Sequence, residues 1–196
     1  MLSYMCVDSN RIEKVIYSDA IKDFKAEVIK YLEIRDYSFS CECFSHDESG
    51  YINQNVNASF FPKENKIVFY TEAMANHISN SFKVFENNKN KILYDDVVLI
   101  FIKLALVHEL VHAKQFESRR LTTEINEKMK STIYVNRWAE IEANKIAIDF
   151  VSNNTNNFGK NIVKYLNSRS EFTNFERVSI MEEKEFSDLA ACLDNL

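Results

Sequence analysis

Residues that break regular structure are scarce in this chain. Only two glycines and one proline occur among 196 residues. That scarcity of breakers suits long helices. Cysteines are also few: Cys6, Cys41, Cys43 and Cys192 are scattered rather than arranged as a disulfide framework. With no apolar export signal at the N-terminus, they read as reduced thiols, and the expected location is the cytoplasm. No apolar run reaches the length of a membrane span, since the longest, 97–107, contains Lys103. An excess of basic charge is missing as well. The formal net charge is -5, so no direct nucleic-acid partner is expected, and no membrane partner either. Internal repeats and low-complexity tracts are absent from the sequence, and its length suits one domain with a single core.

What is present is periodic. Residues 18–35 place Ile21, Phe24, Val28, Ile29 and Leu32 at helical spacing. Residues 37–44 alternate, with Tyr37, Phe39, Cys41 and Cys43 on one face of a strand. Residues 57–61 and 66–71 flank a polar Pro62-Lys63-Glu64-Asn65 segment and predict a hairpin. A helix is expected over 72–86. Another should start at an N-cap on Asp95 or Asp96 and run to about 118. A further long helical region covers 123–151, bent near Ser131-Thr132. The polar run 152–157 reads as a loop, and two shorter helices follow. Together these predict one α+β domain: a helix, sheet and helix over about 1–93, two long helices over 94–151 and C-terminal helices over 152–196.

One motif carries chemistry. His108-Glu109-Leu110-Val111-His112 puts two imidazoles one helical turn apart on the same face, where both reach one ion. Glu109 projects beside them, placed to take a proton from a water held by that ion. Val97, Phe101 and Leu104 lie on the same stripe and would hold the helix rigidly. The alternative is a pair of core histidines with backbone partners. A catalytic zinc needs a third protein ligand and an open position. Residues 138–147 offer two carboxylates. Glu140 shares its face with Ile133, Ala143, Asn144 and Ala147, a small and largely apolar face suited to packing on another helix. Glu142 shares its face with Val135, Lys145, Ile146 and Asp149, which is more mixed. Glu140 is therefore the better ligand by pattern, and Glu142 the better supporting or solvated carboxylate.

His108-Glu109-x-x-His112 followed by Glu140-x-Glu142-Ala143-Asn144 resembles the gluzincin pattern of zincin metallopeptidases, in particular the small ImmA/IrrE-type peptidases. The resemblance spans about 94–150. It implies a zincin-like fold, with a small, mostly antiparallel three-stranded sheet packed on long helices. It also implies one zinc ion per chain, held by His108, His112 and Glu140, with Asn144 supporting a zinc-bound histidine and Glu142 near the site. Relatives often carry Asp where this chain has Asn144. The neutral amide would orient a histidine while raising its basicity less. The resemblance further implies that the strand at 66–71 is a sheet edge above the cleft, where an extended substrate could add as a strand. The implied activity is hydrolysis of a protein or peptide, with a transcriptional regulator as one candidate target. Tyr134, His77, Tyr94 and Arg137 are candidate stabilisers of the oxyanion. A different class of function, a zinc-binding interaction module without turnover, uses the same ligands. Cys41-x-Cys43-x-x-His46 offers a weaker second metal motif, explained more simply as alternation along a strand.

Overall fold

The computed structural model describes residues 7–35, 38–45, 56–82, 91–133 and 137–168. Among them, seven helices and one small mixed sheet form an α+β fold. Two short helices open it. In α1 (Ser9–Ile16), the Asp8 carboxylate accepts the Arg11 backbone N–H at 2.8 Å, and Ile12 and Ile16 are buried. Helix α2 (Asp19–Tyr31) buries Ile21, Phe24, Val28 and Ile29, the apolar stripe read from the sequence.

The sheet contains β1 (Ser40–Phe44), β2 (Ala58–Phe61) and β3 (Lys66–Tyr70) in the order β1-β3-β2. The predicted hairpin is present: β2 and β3 pair antiparallel, and Asn65 in the turn takes a left-handed φ of 53° that asparagine tolerates. Two expectations are corrected here. The sheet is mixed rather than mostly antiparallel, because β1 pairs parallel to β3 with Ser40 opposite Lys66 and Phe44 opposite Tyr70. Strand β3 is central rather than an edge. Its consecutive Ile67, Val68, Phe69 and Tyr70 are all buried, which requires cover on both faces and suits an interior strand.

Helix α3 (Thr71–Phe82) follows β3 directly. The long α4 (Lys91–Glu117) has 27 residues, which corresponds to roughly 40 Å of helix. It begins before Asp95 and Asp96, so neither is its N-cap. Asp95 instead binds the Arg11 guanidinium and ties α4 to α1. The region expected as one bent helix is two. Helix α5 (Thr123–Met129) starts at Thr122, whose hydroxyl accepts the Ile125 N–H at 3.2 Å, and α6 (Trp138–Asn153) starts afresh at an extended Arg137. Ile133 lies outside α6 and is 72% exposed, so it does not share a face with Glu140. Helix α7 (Asn157–Ser168) returns along α4 and α6, and the Tyr165 hydroxyl donates to the Ser81 carbonyl at the end of α3. The break between α6 and α7 is shorter than the predicted loop, only residues 154–156. The predicted segment after 168 lies outside the described residues, as do 83–86 of the helix expected over 72–86.

Helix α4 is the axis of the molecule. It packs on α6 along the buried Ala139, Ala143 and Ala147, whose small side chains let the two backbones approach. Helices α1, α2 and α7 and strand β2 cover its other sides. No helix among the described residues is long and apolar enough to cross a membrane.

Candidate metal centre

Helix α4 carries His108 and His112 in its second half. Leu106, Val107, Leu110, Val111 and Ala113 are all buried and fix this stretch of helix in the core. The imidazoles emerge one turn apart with ring centroids 4.7 Å apart and planes at 83°. Helix α6 runs antiparallel beside them. Its Asn144 meets His108, and its N-terminal residues Ala139 and Glu142 meet Gln115, two turns further along α4. This crossing delivers Glu140 to the histidines.

Three electron-pair donors converge. His108 Nε2 lies 3.1 Å and His112 Nε2 3.4 Å from Glu140 Oε2, and the two Nε2 atoms are 3.0 Å apart. Ligands placed about 2.0–2.1 Å from one tetrahedral ion would be roughly 3.3 Å apart, so the three atoms fit the corners around a single small cation. His108, His112 and Glu140 form a group able to hold a metal ion.

The hydrogen bonds behind the ligands set the tautomers. The Asn144 amide nitrogen donates to the Glu140 carbonyl at 2.9 Å, which turns Asn144 Oδ1 toward His108 Nδ1 at 3.2 Å. That oxygen can only accept, so His108 Nδ1 carries the hydrogen and Nε2 presents its lone pair. The same logic holds at His112. Gln115 Nε2 donates to the Ala139 carbonyl at 3.1 Å and to Glu142 Oε2 at 2.8 Å, leaving Oε1 to accept from His112 Nδ1 at 2.8 Å. Both neutral imidazoles thus aim lone pairs at a carboxylate oxygen, and a proton or a cation must lie among them. Burial alone would lower the pKa of His112. The Glu140 carboxylate and the nearby Glu109 charge outweigh it and push His112 up to about 9. Burial would raise Glu140, but the His108 and His112 rings against it, with the proton they share, hold its carboxyl well below the usual carboxylate range.

Glu109 is 7% exposed, one residue beyond His108, and its charge acts on His112. Glu142 touches neither histidine. Its two oxygens accept from Gln115 and, at 2.9 Å, from Arg120, whose guanidinium stands 5.3 Å above the Trp138 ring. Gln115 was not singled out in the sequence. Its signal would have been a polar side chain one turn past His112, 1% exposed in the structure.

Two of the candidate oxyanion stabilisers, His77 and Arg137, have partners for their side chains among the described residues. His77 on α3 packs its ring against Phe101, centroids 5.0 Å apart, with Nδ1 3.2 Å from the Asn57 amide nitrogen. Arg137 donates to the carbonyls of Thr132 and Lys130. Tyr134 lies outside the described residues, as does the side chain of Tyr94. Cys41 and Cys43 are half-buried on β1, and burial pushes the Cys43 thiol up to about 11. Neither joins a metal-binding group among the described residues, and His46 lies outside them. Comparison with known proteins yields no matching family model, no similar curated protein and no similar solved structure.

Proposed function

We propose that this chain is a zinc metallopeptidase of the zincin type, hydrolysing a protein or peptide. The observation that carries the reading is the convergence of two oriented imidazole lone pairs and one carboxylate oxygen, with a buried glutamate next to the first histidine. Two imidazoles and one carboxylate are a donor set that suits zinc and leaves a coordination position open. A bound zinc ion would supply a Lewis acid that polarises the scissile carbonyl and acidifies water. Glu109 would then accept a proton from the attacking water and deliver it to the departing amine. Asn144 and Gln115 would keep both imidazoles in the tautomer that ligation needs. Strand β2 is an edge of the sheet among the described residues and packs on α4, with the Phe60 and Phe116 rings 5.9 Å apart. It takes the role first expected of β3: an extended peptide would add to it as a further strand. A regulatory protein, such as a transcriptional regulator, is the substrate class we would offer first.

Glu109→Gln tests the chemistry. The variant should bind one equivalent of zinc like the wild type and lose about 10²- to 10⁴-fold in hydrolysis of a mixed-sequence fluorogenic peptide library, the range expected for loss of a general base. Turnover by Glu109→Gln at the wild-type rate would remove Glu109 from the mechanism. Zinc-loaded wild type that cleaves nothing would favour the interaction module over the peptidase.

A further inference from the structure

Gln115 is unusual in being both polar and fully enclosed. Its side chain is 1% exposed, and all three of its hydrogen-bonding demands are met inside the protein. The neighbours dictate what can stand there. The Ala139 carbonyl and the Glu142 carboxylate both require a donor, and the His112 Nδ1–H requires an acceptor. Only a primary amide offers two donors and one acceptor in one planar group. A glutamate of the same shape would set a carboxylate against Glu142 and a carbonyl oxygen. A leucine would leave the His112 Nδ1–H without its acceptor and take one donor each from Glu142 and the Ala139 carbonyl.

The amide is itself clamped. Glu142 takes one of its hydrogens, and Arg120 holds the other oxygen of Glu142 at 2.9 Å while covering the face of Trp138. This chain of contacts runs from the outside of α6 inward to the ring of His112. The other histidine is served differently, by Asn144 from α6 itself. Each imidazole therefore has its own acceptor behind Nδ1.

We infer that Gln115 is a positioning residue that fixes the Nδ1–H tautomer of His112 and thereby sets metal affinity, with Glu142 and Arg120 holding its amide in the required orientation. The inference rests on the zinc-site reading above. It predicts that Gln115 acts on the site through His112, the ligand whose Nδ1 it faces.

The experiment uses the full chain and its Gln115→Leu, Gln115→Glu and Gln115→Glu/Glu142→Gln variants, with zinc affinity measured by chelator competition. Circular dichroism establishes that each is folded. Loss of a partner behind a metal-binding histidine typically weakens binding about 10- to 100-fold, the loss expected for Gln115→Leu. Gln115→Glu should also bind zinc more weakly than the wild type, because two carboxylates then face each other. The double variant should recover much of that loss, as the new amide at 142 donates to the new carboxylate at 115 and His112 keeps its acceptor. Recovery in the double variant tests the assignment even where Gln115→Leu fails to fold. Wild-type affinity in folded Gln115→Leu, or no recovery in the double variant, would overturn the assignment. The imidazole ¹⁵N shifts of His112 at pH 10 separate this from the fate of the zinc reading. Hydrogen on Nδ1 in the wild type, redistributed in Gln115→Leu, supports the positioning role without any metal. An unchanged tautomer overturns it. Absence of zinc binding in the wild type would overturn the metal reading and with it the effect on affinity, while the tautomer assignment stands or falls on the ¹⁵N shifts.

Discussion

At the scale of single residues, the site is a contest between a proton and a cation. His112 is pushed up to about 9 by Glu140 and Glu109 in spite of its burial, and Glu140 is held low by the two imidazoles. A histidine with a raised folded pKa stabilises the fold fully below its ordinary value near 6.5, and that contribution is lost as pH climbs through about 9. Glu140, held low, contributes above its ordinary value near 4.5 and loses that contribution as pH falls. Metal-free protein should therefore weaken as pH rises from 6.5 to 9. Zinc binding must expel the His112 proton, so its affinity should increase by about tenfold per pH unit over the same interval. Both effects have one sign. The rise in melting temperature on adding zinc should be larger at pH 9 than at pH 6.5, as scanning calorimetry would measure. A zinc increment that shrank with pH would contradict the proposed ligand set.

At the scale of elements, the α4–α6 contact decides whether Glu140 reaches the histidines. Ala143, fully buried between Glu140 and Ala147, sets the distance between the two helices. Ala143→Leu should force them apart, lower stability by about 1–3 kcal/mol in denaturant titration and weaken zinc binding. Ile141→Ala, on the 41% exposed side of the same turn, should leave zinc affinity unchanged. Equal loss in both variants would mean that helix packing does not set the ligand geometry. Much of this arrangement was legible in the sequence, because local patterns govern it. The His108/His112 spacing, the small apolar face of Glu140 with Asn144, the stripe of α2 and the β2–β3 hairpin each need only a few neighbouring residues. Gln115 was not legible, since its partners Ala139 and Glu142 come from another helix. The parallel β1–β3 pairing joins segments separated in sequence and leaves no local mark. Helix α1 is only eight residues long and depends on the Asp8 cap and the α4 contact. The break before α6 has no glycine or proline to announce it, and Arg137 binds the carbonyls freed there.

At the scale of the whole molecule, zinc would tie the fold together through its central helix. Helix α4 touches α1, α2, α6, α7 and β2, so an ion joining it to α6 bears on most of the core. A ligand held at 100 times its dissociation constant adds about 2.7 kcal/mol to the folded state, a sizeable share of a small domain's stability. The central claim is that His108, His112 and Glu140 hold one zinc ion. Its most direct test is elemental mass spectrometry of the purified chain after zinc loading and removal of excess, with Glu140→Gln and Glu142→Gln alongside. The account predicts one zinc per wild-type chain, lost in Glu140→Gln and largely kept in Glu142→Gln. A wild-type chain that retains no zinc would contradict it and return the two histidines to the core as a hydrogen-bonded pair.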